Sequence, residues 1–159
     1  MAMKTAVIYA TRSGNTKRVA EHIAEALRER GTADLSETAT APADLHDFDL
    51  VVIGGPTEGH GMTPPIKAYL ARLGEGSVRG HVAAAFDTRL AWPRALSGSA
   101  AEGIATDLRA KGAIVATAPE SFIVSRKPEL QPGELERAGR WARGLAQSLS
   151  PRTTVGATA

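Results

Sequence analysis

KTAVIYATRSGNTKRVAEHIAEALRERG, residues 4–31, decides how this chain folds. Lys4 to Ala10 form a nearly continuous apolar run, the pattern of a strand covered on both faces. Asn15 to Arg30 repeat with helical period. Val19, Ile23 and Leu27 make one stripe with Ala20 and Ala24 beside it, while Lys17, Arg18, Glu21, Glu25 and Arg28 fall elsewhere. Gly31 is placed to cap that helix. A buried strand, a short polar loop and an amphipathic helix open a unit whose next strand must return parallel to the first.

The alternation continues outward from this unit. Ala33 to Thr38 is a polar strand candidate suited to a sheet edge, and Asp49 to Gly55 (DLVVIGG) is a second central-strand run. Thr63 precedes a helix with Pro64 and Pro65 in its first turn and Ile66, Tyr69, Leu70 and Leu73 on its buried stripe, ended by Gly74. His81 to Phe86 is a third apolar strand. Ser99 and Glu102 have capping-box spacing and open a helix with Ile104, Ala105 and Leu108 inward, closed by Gly112. Ala113 to Ala118 is the expected last strand. Pro132 begins a final helix with Leu135, Ala138, Ala142, Leu145 and Leu149 on one face. The expectation is an α/β fold, a three-layer α/β/α sandwich on a five-stranded parallel sheet. The polar second strand selects the order 2-1-3-4-5 over a one-way order. One domain is expected over residues 1–149, followed by a disordered tail at 150–159.

Composition narrows the function. The 159 residues suit a single core and include no cysteine, which excludes disulfides, thiolate metal sites and cysteine catalysis. His22, His46 and His81 have no metal-ligand spacing, and no serine stands in a Gly-x-Ser-x-Gly elbow. The net charge is +2, the two halves differ only mildly in charge, and aromatics make up 4%. Neither a nucleic-acid footprint nor a base-stacking surface follows. No apolar stretch approaches the ~20 residues of a membrane span, and the first residues lack a signal h-region. A cytoplasmic protein is expected.

In such a sheet, ligands sit at the carboxyl ends of the strands, near the switch point between the first and third. Three loops lie there. The first, Thr11-Arg12-Ser13-Gly14-Asn15-Thr16, surrounds a helix N-terminus with hydroxyls and a carboxamide, which is chemistry for a phosphate monoester. The same residues also serve as ordinary helix caps. The loop lacks the Gly-Lys-Ser/Thr of a nucleotide P-loop and the later glycines of a dinucleotide fingerprint. The second loop, Gly54 to Met62, holds four glycines in eight residues, and its alternative reading is a flexible surface turn. The third is Asp87-Thr88-Arg89-Leu90-Ala91-Trp92-Pro93.

Tyr9 to Thr16 resembles the phosphate loop of flavodoxins, and the likeness extends from residue 4 to about 149. The Thr11-Arg12 pair is also similar to a branch that includes menaquinone-dependent protoporphyrinogen oxidases. The resemblance implies FMN as cofactor. Thr11, Arg12, Ser13, Gly14, Asn15 and Thr16 would hold its phosphate. Pro56, Thr57, Glu58, Gly59, His60 and Gly61 would meet the inner edge of the ring, and Asp87, Thr88, Arg89 and Trp92 would line the other side. Members of the family often stack an aromatic from the second loop on the ring. This chain has none there, so His60 or Met62 would cover that face. Arg89, His60 and Arg94 are the cations expected near the ring, where they would favour its reduced anion. Ser121 could bond a cofactor or simply pack in the core, and the arginines around Trp141 read as a solvated face.

The function implied is an electron-transfer protein or small flavin oxidoreductase, working between a flavin reductase and acceptor proteins or a quinone-type small molecule. Two rivals stand beside it: a quinone- or porphyrinogen-linked enzyme, and a flavin-free binding or regulatory module.

Overall fold

The computed structural model describes residues 2–74 and 76–149; the tail expected at 150–159 lies outside them. Strand β1 (Met3–Tyr9) leads into helix α1 (Asn15–Leu27) and a 3-10 turn (Arg28–Arg30). The edge strand β2 (Gly31–Glu37) starts at Gly31, so that glycine closes the 3-10 turn and not the α-helix itself. There follow β3 (Leu50–Glu58), β4 (Gly61–Met62), α2 (Pro64–Arg72), β5 (Val82–Leu90), α3 (Arg94–Ser97), α4 (Ala100–Ala110), β6 (Ile114–Val115), β7 (Glu120–Val124) and α5 (Glu134–Leu149).

The main sheet is parallel, in the order β2-β1-β3-β5, with β6 and β7 sharing the place beyond β5. This is the expected 2-1-3-4-5 arrangement. Val7 pairs with both Leu35 and Val52, and Ile53 with Ala85. Successive side chains alternate between two cores, as a strand's period of two requires. Ile8, Val51, Ile53 and Ala85 pack with Ile66, Tyr69, Ile104 and Leu108 of α2 and α4. Val7, Val52, Ala84 and Phe86 pack with Val19, Ile23, Leu27, Ala138 and Ala142 of α1 and α5. Gly54 makes room for this second core, since a Cβ there would lie 2.2 Å from the Phe86 ring.

Two boundaries differ from expectation. The last strand does not run from Ala113 to Ala118. The ladder leaves β5 after Ala116, whose N–H donates to Ala83 O at 3.0 Å, and resumes at Glu120. Pro119 stands in the gap and has no N–H to give. Strands β3 and β5 also run past their expected ends, to Glu58 and Leu90, so the sheet itself carries the second and third loops toward the site. No helix among the described residues is long and apolar enough to cross a membrane.

Candidate functional site

Gly14 caps α1 with φ +94°, a left-handed conformation open to glycine at little cost. Its N–H donates to Thr11 Oγ1 at 3.0 Å, and the first helical bond runs from Arg18 N–H to Gly14 O at 3.1 Å. The N–H groups of Asn15, Thr16 and Lys17 therefore have no intrahelical acceptor, and no side chain caps the helix. The carboxamide that would most readily do so is turned elsewhere. Asn15 Nδ2 donates to Pro128 O at 2.7 Å and to Ser13 Oγ at 3.3 Å. Thr16 Oγ1 meets Thr88 Oγ1 at 2.8 Å, a buried link between α1 and the end of β5. Arg12, Ser13 and Lys17 are exposed.

The second loop is a tight hairpin. Thr57 pairs with Met62 and Glu58 with Gly61, leaving Gly59 (φ +54°) and His60 (φ +69°) as a two-residue turn. Positive φ at both positions fits a type I′ turn, whose twist matches the flanking strands. The turn rests on the chain before α4: His60 forms a bridge with Gly98, where a Cβ would lie 2.0 Å from His60 O. The loop is thus a defined hairpin whose two turn residues are exposed. Met62 is partly buried against the core and the Gly103 backbone; His60 is exposed.

Asp87 was expected to line the cleft, but it is fully buried beneath it. Its Oδ2 accepts from Ser99 Oγ (2.7 Å), the Ala101 N–H (3.0 Å) and Thr57 Oγ1 (3.1 Å). Thr57 Oγ1 in turn accepts the Ala100 N–H at 2.9 Å. The carboxylate thereby ties the second loop to the positive end of α4. Its Oδ1 has no partner among the described residues.

Arg89 is pinned to its own loop, with Nη1 donating to Trp92 O at 2.6 Å and Leu90 O at 3.1 Å. Trp92 is 46% exposed, and the Arg126 guanidinium lies 5.9 Å from its ring centroid. The indole is therefore a rim group and not a packing anchor. Arg94 does not join the site. It reaches Glu102, Pro119 O and Ser121 Oγ, which also accounts for Ser121 as a structural acceptor. Of the arginines around Trp141, Arg140 and Arg143 are exposed, while Arg137 is only partly so: it pairs with Glu134 and Glu120 and lies over Phe122.

The three loops and the turn after β7 enclose a cleft of 340 Å³. Arg12, Ser13, Asn15, Pro56, Thr57, Glu58, Thr88 and Arg89 line it, together with Leu90, Val124 and Pro128. An adjoining hollow of 240 Å³ lies between Gly59–His60 and Trp92. Sequence reasoning did not single out Leu90 from within the third loop, and it missed Pro128 because nothing in its neighbourhood marks a long-range wall. Arg12 and Glu58 form an ion pair across the mouth of the cleft, joining the first loop to the second. Among the described residues no group of three or more His, Asp or Glu side chains could hold a metal.

Residues 6–77 match the model of the flavodoxin domain. A flavodoxin from the domain Archaea superposes with a TM-score of 0.80 at 21% identity, covering 94% of this chain and 100% of that one. Oxidised flavodoxin 1 from Bacillus cereus gives 0.78 at 22%, over 92% and 99%. A flavodiiron protein from Giardia intestinalis gives 0.72 at 22%, with 91% of this chain matching 35% of that one. No curated sequence matches the chain. The domain match lies within the first half of the chain, and the fold throughout is that of flavodoxins.

Proposed function

We propose that the cleft binds FMN and that the protein carries electrons between a flavin reductase and acceptor proteins or a quinone-type small molecule. The observation that carries this reading is the uncapped first turn of α1. Its amides have no side-chain cap, the hydroxyl of Ser13 is exposed beside them, and the loop opens into a cleft of 340 Å³. A phosphate monoester fits that donor set. Mostly uncharged and apolar walls (Pro56, Leu90, Val124, Pro128) suit a flat ring system beyond it. Flavin supplies one- and two-electron chemistry; the protein binds, orients and shields it.

Thr57 and Asp87 position the ring loop, and Arg89 supplies a fixed cation on the wall of the cleft. Arg94, committed elsewhere, is not part of that charge set. A second reading, turnover of a quinone-type substrate on the protein, is favoured by the open indole of Trp92, which leaves room on the outer side of the cleft.

Titration of the purified apo-protein with FMN and with riboflavin tests the proposal. Tight FMN and weak riboflavin binding is the expected result. Failure of a folded protein to bind FMN at millimolar concentration would leave the first turn of α1 as a bare helix end.

A further inference from the structure

Arg12 sits on the exposed first loop, and its guanidinium reaches across to Glu58 at the end of β3. The two side chains are 78% and 36% exposed. Together with Pro56 they form the partition between two spaces: the 340 Å³ cleft, and a second hollow of 420 Å³ that runs back toward Met62 and Thr63. Of the two cations lining the cleft, Arg89 is bound to its own loop carbonyls. Arg12 is the one whose charge is countered only by a neighbouring carboxylate.

We infer that Glu58 is a built-in competitor for Arg12: a dianion seated on the first turn of α1 takes the guanidinium from Glu58, so the pair sets how strongly the site prefers a phosphorylated flavin over an unphosphorylated one. This rests on the cleft being the FMN site. The physical case is one of unequal rivals. An exposed ion pair is weak, because water and salt screen it and two side chains must be held still. A phosphate dianion offers the planar guanidinium a bidentate partner of higher charge, on a loop that also supplies backbone N–H groups. While paired, Arg12 offers the first loop no uncompensated charge, and Arg89, fixed on the opposite loop, is the remaining cation of the cleft wall. Once it turns to the phosphate, Glu58 regains its own charge at the lip of the ring loop. No bond is made or broken in this exchange.

The competition predicts a pattern that a mere tether between loops would not give. Glu58→Gln should tighten FMN binding about fivefold at low ionic strength, a gain typical of freeing one exposed charge. The gain should fade in 0.5 M salt and be absent for riboflavin. Arg12→Gln should weaken FMN about tenfold, as expected for losing a charged hydrogen bond to phosphate, and leave riboflavin unchanged. In the Arg12→Gln background, Glu58→Gln should do nothing further. Calorimetric titration of the apo-protein and the three variants reads all of these, with circular dichroism confirming that each is folded.

If Glu58→Gln weakens FMN, then Glu58 holds Arg12 in place for the phosphate and the competition is wrong. If FMN affinity is unchanged, or if riboflavin shifts equally, the inference also fails while the FMN reading stands. If the folded wild-type protein binds no FMN, both fall together.

Discussion

Gly14 and Gly98 both hold a left-handed backbone at the site, yet they fail differently on substitution. A Cβ at Gly14 (φ +94°) would meet nothing within 4 Å. Gly14→Ala therefore carries only backbone strain, about 1–2 kcal/mol off the unfolding free energy in urea titrations. At Gly98 (φ +72°) the added carbon would lie 2.0 Å from the His60 carbonyl oxygen, so strain adds to a collision with another backbone. Gly98→Ala should destabilise by more than Gly14→Ala and push the ring loop away from α4. A larger loss from Gly14→Ala would show the clash to be illusory. Ser13 is the cleanest probe of the proposed phosphate seat, because its exposed hydroxyl is not needed to join elements. Ser13→Ala should weaken FMN by about 1.5 kcal/mol, roughly tenfold, with riboflavin and stability unchanged. Thr16 differs: its hydroxyl joins α1 to β5 through Thr88. Thr16→Ala should therefore lower stability by about 1 kcal/mol as well as any affinity. This division of labour was not legible beforehand. Thr11 to Thr16 announce an anion site by type and spacing, but the partners of Asn15 and Thr16 lie at Pro128 and Thr88, too far along the chain for spacing to reveal.

Among elements, the ends of β3 and β5 and the start of α4 behave as one piece because a buried carboxylate holds them. Asp87 accepts from Thr57, Ser99 and the Ala101 N–H, and Ser99 Oγ also accepts the Glu102 N–H at 3.3 Å, the forward half of the capping box read from the sequence. The return half is missing, since Glu102 turns to Arg94. Asp87→Ala would leave two hydroxyls and an amide buried together without their acceptor. A loss of about 3 kcal/mol in denaturant unfolding is expected, because unmet buried groups carry their full desolvation penalty. A loss below 0.5 kcal/mol would mean that these groups find other partners. The sequence identified Asp87 as a loop residue because it follows an apolar run and precedes Thr88-Arg89. Strand pairing carries on through Thr88 to Leu90, alongside Phe122 to Val124, and it is this continuation that pulls Asp87 under the loop. The split of the last strand has a comparable origin. The apolar run over 113–118 looks like one strand, while the ladder is interrupted near Pro119 and the apolar Phe122 enters the core further on.

At the scale of the whole molecule, the topology was readable because it depends on pattern alone. Runs such as Ala6–Ile8 and Val51–Ile53 must be covered on both faces, and the polar β2 can lie only at an edge. What closes the molecule on the cleft side was less visible. Arg137 of α5, expected to face water, bonds Glu134 and Glu120 and the Ser121 carbonyl, while Glu134 Oε2 accepts the Ile123 N–H at 2.6 Å. This cluster fixes the start of α5 to β7, whose far end supplies the Val124 wall of the cleft. It also makes stability depend on acid. The Glu134 carboxyl is held below its ordinary value of 4.5, chiefly by its bonds to Arg137 and further by the Ile123 N–H, against the opposing effect of burial. A carboxyl that ionises more readily when folded contributes stability that is complete above the unfolded value. That contribution is lost as pH falls through the folded one. Stability of the wild-type protein should hold steady between about pH 7 and pH 5 and then drop on further acidification. Glu134→Gln should lower stability at pH 7 by about 1–2 kcal/mol, the worth of bonds to a charged group. It should also make the acid limb shallower, because this carboxyl no longer takes up a proton on unfolding. Urea midpoints measured for both proteins from pH 7 to pH 3 decide the matter. Parallel acid limbs would show that Glu134 has no part in the linkage, and that α5 is held to the sheet by its apolar face alone.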